Sequence, residues 1–206
     1  MVNEILDRLE KKYPDADCAL HHKNVFELLI CVVLSAQTTD KRVNMITPDL
    51  FARYPDAASL SEADMADVEE CIRTIGMYRQ KAKNIISLSR ILIEKYDGNV
   101  PESHEELIRL PGVGRKTANV VMSVGFGHPA IAVDTHVFRV SNRIGLADAE
   151  NVLDTELQLQ EKIPVDRWSK AHHLLIFHGR YTCTARKPKC DDCPLTDICR
   201  YFSEAH

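Results

Sequence analysis

Four cysteines close the chain in the pattern C-x6-C-x2-C-x5-C: Cys183, Cys190, Cys193 and Cys199. Thiolates at this spacing can converge on one centre, and a segment broken by Pro188 and Pro194, with little core of its own, gains order by doing so. Tetrahedral zinc and a [4Fe–4S] cluster both accept four thiolates, so the spacing leaves the metal open. Metal-free surface thiols are the plain alternative, and a reducing compartment disfavours disulfides. Cys18, Cys31 and Cys71 are scattered; Cys31, among Leu29, Ile30, Val32 and Val33, suits a small buried hydrophobe.

A second group of chemically able residues lies in Leu110-Pro111-Gly112-Val113-Gly114-Arg115-Lys116-Thr117-Ala118. Pro111 ends one helix. Gly112 and Gly114 are expected to allow a tight turn at positive φ and to leave the backbone bare. The next helix then starts with free N–H groups and the positive end of its dipole outward, which suits a phosphate. An ordinary helix–turn–helix corner is the bland reading; Pro before and Arg115-Lys116 after favour phosphate. Lys116 is either one more phosphate contact or an amine nucleophile. The second role needs a neutral amine, and only about one ordinary lysine in a thousand is neutral near pH 7.4. Partial burial and neighbouring positive charge, from Arg115 and the helix end, would raise that fraction. Eighteen residues on, Ala132-Val133-Asp134-Thr135-His136 supplies a carboxylate. Asp134 immediately before a helix is also a good N-cap, and the two roles are compatible.

The elements that must position these groups read as helices throughout. Expected helices span 24–36, 41–54 with Asp40 as cap, 62–73 opened by Ser61, and 79–96 stopped by Gly98. Ser103 with Glu106 reads as a capping box. Further helices are expected at 115–125, 135–142, 152–162 and 168–178, followed by a loop-like cysteine tail. No segment alternates as a strand would. The class is all-α.

Composition sets outer bounds. With 45% hydrophobic and 27% charged residues the chain is an ordinary globular protein. No run approaches the ~18–20 apolar residues of a membrane span, and the first residues lack a signal-peptide core, so the cytoplasm is the expected compartment. A net charge of −4 speaks against nucleic acid. Its distribution softens that objection, a solvated basic tail being the even alternative: between 162 and 190 lie Lys162, Arg167, Lys170, Arg180, Arg186, Lys187 and Lys189 against Asp166 alone. Screening leaves only nearby charges effective, so a basic face on an acidic protein can hold phosphates.

On these motifs, together with Leu34-Ser35-Ala36-Gln37-Thr38-Thr39-Asp40, LPGVGRKTANVV at 110–121, AVDTHVFRVSNR at 132–143 and HGRYTC at 178–183, the whole chain resembles the bacterial endonuclease III family. The resemblance implies a helix–hairpin–helix DNA glycosylase fold in two helical lobes with a DNA cleft between them. Residues 19–130 would form a six-helix barrel with the hairpin, and 1–18 with 131–206 the iron–sulfur lobe. It implies a structural [4Fe–4S] cluster on the four cysteines, with Arg186, Lys187 and Lys189 offered to the DNA backbone. The implied activity is removal of oxidised pyrimidines from double-stranded DNA, followed by cutting 3′ to the abasic site. Lys116 would attack the sugar C1′ and form a Schiff base, while Asp134 steadies developing positive charge. Gln37 matches the residue that enters the gap left by the flipped base, Met77 stands where an apolar wedge is expected, and His136 would lie near the backbone. The protein would act as a monomer. Two other readings stay open: a monofunctional mismatch glycosylase, whose relatives lack the lysine, and a non-catalytic iron–sulfur DNA-binding protein.

Overall fold

Polar side chains start most of the helices, and the computed structural model, which describes residues 1–205, contains no strand among them. The helices are α1 (Val2–Lys12), α2 (Val25–Leu34), α3 (Asp40–Arg53), α4 (Ala57–Ser61), α5 (Met65–Ile72), α6 (Tyr78–Tyr96), α7 (His104–Leu107), α8 (Arg115–Val120), α9 (Thr135–Ile144), α10 (Val152–Lys162), α11 (Trp168–Tyr181) and α12 (Arg200–Ala205). Asn24 caps α2 by accepting from the Glu27 N–H, Ser103 caps α7 through the Glu106 N–H, and Asn151 caps α10 through the Asp154 N–H.

Two expected starts are corrected. Thr39, not Asp40, caps α3, because Thr39 has the extended backbone that lets its hydroxyl accept from the Arg42 N–H. Ser61 ends a helix instead of opening one: α4 starts at Asp56, whose carboxylate and Ser59 form a reciprocal box. The following helix begins only after Asp64, which accepts from the N–H groups of Ala66 and Asp67. Gly98 is not the first left-handed residue after α6; Asp97 takes that position at φ +50°, and Gly98 N–H then closes onto the Leu92 carbonyl. The segment 115–125 splits into α8 and a wider π turn over Val121–Gly125. The cysteine tail contains short 3₁₀ turns and α12 instead of loop alone. Helix α1 was hidden by its charges; its apolar Ile5, Leu6 and Leu9 share one buried face.

The chain divides into two units, residues 19–128 and residues 1–18 with 129–206. In the first, α2 is buried from Phe26 to Leu34. A helix apolar on every side belongs at a centre, and α3, α6 and α8 pack on it. In the second, α9 packs against α10, α11 and α12, while α1 lies on α11. Leu6, Leu9, Val137, Val140, Leu174 and Leu195 share its core. Each fully buried leucine of α1 contributes about 2 kcal/mol, enough to hold a helix otherwise rich in charge.

Candidate active site and cysteine centre

The hairpin in the first unit is built by one turn. Leu110 and Val113 are buried anchors, and the Val113 N–H donates to the Leu110 carbonyl at 3.1 Å. Pro111 and Gly112 are the two residues between, with Gly112 at φ +79°, the pattern of a type II turn. A Cβ at Gly112 would lie 2.9 Å from Asn84 Nδ2 and 3.1 Å from Val33 Cγ1. Conformation and packing both demand glycine there. Gly114 differs from expectation: it is extended, at φ −96° and ψ 179°, and a Cβ there would meet nothing within 4 Å. The structure needs no glycine at 114, so the missing side chain leaves open backbone at the start of α8, where no side chain caps the first N–H groups.

Arg115 and Lys116 are both exposed in the first turn of α8. The partial burial expected for Lys116 is therefore absent. Among the described residues no hydrogen bond or ion pair holds its ammonium.

In the second unit Asp134 is the N-cap of α9. Its Oδ1 accepts from the N–H groups of His136 and Val137, both at 2.8 Å. The other oxygen carries no hydrogen bond among the described residues. The carboxylate is thus fixed in orientation with one oxygen to spare. His136 Nδ1 sits 3.2 Å from Nη2 of Arg139. A guanidinium only donates, so Nδ1 accepts and the ring proton resides on Nε2, the form that can donate to a phosphate.

Gln37 and Met77 are exposed, and both are non-glycine residues in left-handed conformation, at φ +54° and +55°. Such backbone costs free energy and is held in place by its surroundings.

The cysteine segment is held by residues that spacing alone did not single out. Arg139 donates to the carbonyls of Gly179 at 2.8 Å and Cys183 at 3.1 Å. Arg143, one turn further along α9, donates to the carbonyls of Thr184 at 2.7 Å and Ala185 at 2.9 Å. From α1, Arg8 reaches Asp197 at 2.6 Å and Lys12 donates to the Asp192 carbonyl. The spacing of four between Arg139 and Arg143 was the available signal: it places two long donors on one helix face. Arg186, Lys187 and Lys189 remain exposed on the pinned loop.

Cys183, Cys190, Cys193 and Cys199 line one small pocket, with His178 and Tyr201 also in its wall. Among the described residues no three His, Cys, Asp or Glu side chains gather closely enough for a single metal ion. Four sulfurs around a space, instead of around a point, fit a polynuclear centre better than zinc. Burial raises the pKa of Cys190 and Cys193, and neighbouring thiolates raise it further. A cationic iron centre would offset that cost, with the four sulfurs as its thiolate ligands. His178 is buried, its pKa pushed down to about 4 mainly by desolvation. The neutral ring lies 3.6 Å from Cys193 Sγ and 3.3 Å from the Tyr13 hydroxyl.

Comparison with known proteins covers both regions. Residues 30–165 match the model of the HhH-GPD superfamily base excision DNA repair protein, and residues 183–199 match the iron–sulfur binding domain of endonuclease III. These two matches define the class: a helix–hairpin–helix base excision repair glycosylase with a C-terminal [4Fe–4S] domain. Endonuclease III of Bacillus subtilis is 50% identical over 196 residues, 95% of this chain and 90% of that protein. A solved structure of a trapped covalent intermediate of endonuclease III with DNA has a TM-score of 0.94 at 51% identity, covering 99% of this chain and 96% of that one. A thermostable thymine-DNA glycosylase is more distant, with a TM-score of 0.87 at 25% identity over 98% and 96% of the two chains. The chain belongs to the endonuclease III family of base excision repair DNA glycosylases.

Proposed function

We propose that this enzyme removes oxidised pyrimidines from double-stranded DNA and then cuts the strand 3′ to the abasic site, with Lys116 as nucleophile. The observation that carries the reading is an exposed lysine with no partner among the described residues, set in a hairpin whose backbone is bare at Gly114. The covalent DNA complex trapped for an endonuclease III 51% identical to this chain supports it.

Eversion of the damaged nucleotide costs a few kcal/mol, less for a base that already stacks badly. Gly112, Gly114, Arg115 and His136 hold the backbone, with the exposed Arg186, Lys187 and Lys189 adding charge. Gln37 enters the gap and Met77 wedges the stack. Contact with DNA strips water from Lys116. The Nζ lone pair then forms a bond to C1′ while the base departs with the electrons of the glycosidic bond and takes up a proton. Opening of the sugar ring gives the Schiff base. Loss of a C2′ proton drives out the 3′ phosphate and cuts the strand. The spare oxygen of Asp134 steadies the positive charge at C1′ and relays protons. Cys183, Cys190, Cys193 and Cys199 would hold the [4Fe–4S] cluster, as a structural support for the segment that carries the basic residues. The enzyme works on cytoplasmic DNA as a monomer.

Borohydride should trap a covalent complex between the enzyme and a duplex containing thymine glycol. Undiminished trapping in Lys116→Gln would remove Lys116 as the nucleophile. Base release with no nick until alkali is added would favour a monofunctional glycosylase.

A further inference from the structure

Lys81 lies in the first turns of α6 and is only 3% exposed, unusual for a lysine that the mechanism does not use. Its ammonium donates to the Ala36 carbonyl at 2.7 Å and to the Thr38 hydroxyl at 2.9 Å. Those are the two residues on either side of Gln37. Its own backbone N–H donates to the carbonyl of Met77 at 3.0 Å. Gln37 and Met77 come from separate loops and are both exposed and left-handed; the side chain of Lys81 ties the neighbours of the first to α6, whose opening backbone bond starts at the second. Arg42, in the first turn of α3, makes a second tie to the loop before Met77, through Nε to the Thr74 carbonyl at 3.4 Å.

We infer that Lys81 is a positioning residue that fixes Gln37 and Met77 relative to each other before DNA arrives, so that the two enter the duplex as one preformed unit. The inference rests on the insertion roles proposed above for Gln37 and Met77. A lysine that merely capped the end of α2 would need the Ala36 carbonyl alone and could stay in water, as such cations normally do. Lys81 instead reaches past Gln37 to Thr38 and is buried, and burial lowers its pKa. Desolvating an ammonium is costly and is recovered only through well-made hydrogen bonds. Those bonds go to the two residues either side of a strained one, one to a backbone carbonyl and one to a side-chain hydroxyl. Two side chains already in place avoid the ordering cost that two mobile loops would incur on binding.

The test compares two substrates cut by the cluster-loaded enzyme under single-turnover conditions: a thymine glycol duplex, and a single strand with an abasic site, where there is no opposite base and no gap to fill. Lys81→Met should cut the duplex about tenfold more slowly, by misplacement, and the single strand at the parent rate. Lys81→Arg should recover part of the loss, and Thr38→Val should show a smaller loss of the same kind. Amide hydrogen exchange at residues 36–39 and 75–78 should accelerate in Lys81→Met. Equal losses on both substrates would overturn the proposal, as would unchanged exchange. Should Lys81→Met fail to fold, Thr38→Val carries the same two readouts. Parent duplex rates in Gln37→Ala and Met77→Ala would instead remove the insertion roles, and the proposal with them. Slow Gln37→Ala and Met77→Ala beside unchanged exchange in Lys81→Met would remove only the part assigned to Lys81.

Discussion

The hairpin around Lys116 and the paired loops around Lys81 belong to the same unit and treat the same side chain in opposite ways. Lys81 is buried, and its ammonium makes two hydrogen bonds. Lys116 is exposed, with no bond to its ammonium among the described residues. A charge used to shape a protein is satisfied inside it. In the proposed mechanism the reacting group is left unsatisfied until the substrate supplies its surroundings. Asp134 combines both conditions in one carboxylate, with one oxygen held and one bare. The glycines of the hairpin divide in the same way: Gly112 is demanded by the fold, Gly114 by nothing within it.

If the contrast is right, the largest effect belongs to the barest group. Lys116→Gln should lower strand cutting by at least about a thousandfold, the scale expected when a covalent nucleophile is lost. Its thermal stability should match the parent within about 0.5 kcal/mol, since an exposed side chain without partners is replaced. Rates are read by gel and stability by calorimetry; a stability loss above that range would show that Lys116 is held after all.

Asp134→Asn comes next. Asparagine caps a helix about as well as aspartate, so α9 should keep its start and stability should fall by no more than about 0.5 kcal/mol. The charge at the spare oxygen is lost, and turnover should drop by about a hundredfold with duplex affinity retained. A large stability loss with modest kinetics would place the carboxylate on the structural side of the comparison.

The sequence exposed the reactive half of this contrast far better than the supporting half. The cysteine spacing, the Pro-Gly turn and Asp134 ahead of α9 are local patterns, and each is where the motifs put it. Caps were legible where one polar residue stood alone at a helix start, as at Ser103 and Asp134. They were not where several competed: Thr39 stands beside Asp40, and Ser59, Ser61 and Asp64 crowd one stretch, so backbone angles decide which accepts. Gly114 looked equivalent to Gly112 because a sequence records no φ. Lys81 was invisible for a different reason, and the spacing of Arg139 and Arg143 gave a shared helix face without naming its partners. Their partners lie far off along the chain, from 40 to 45 residues for the bonds to Ala36, Gly179 and Ala185, and nothing local distinguishes a buried lysine on a helix from an exposed one.

Gly112→Ala tests the held side of the hairpin. The added Cβ meets Asn84 and Val33, and φ of +79° is strained for alanine. The cost should be about 1–3 kcal/mol. For a chain of this size that lowers Tm by several degrees, at roughly 2–4 °C per kcal/mol. An unchanged Tm would mean that the turn yields easily and that its geometry is not what positions Lys116.

Gly114→Ala should give the smallest change in stability and the more telling one in binding. The backbone at 114 is ordinary for alanine and the space around its Cβ is open, so the gain from a stiffer unfolded chain and the loss of a tolerable N-cap nearly cancel, within about 0.5 kcal/mol. A methyl group there nevertheless stands between the first N–H groups of α8 and an approaching phosphate. Affinity for a duplex carrying a non-cleavable abasic analogue should fall severalfold by fluorescence anisotropy. No charge has been removed, so the slope of log affinity against log salt should stay at the parent value. Parent affinity in this variant would show that the bare backbone is not where DNA sits. A shallower slope would mean that cationic side chains moved with it, and the hairpin would then be a held structure on both of its glycines.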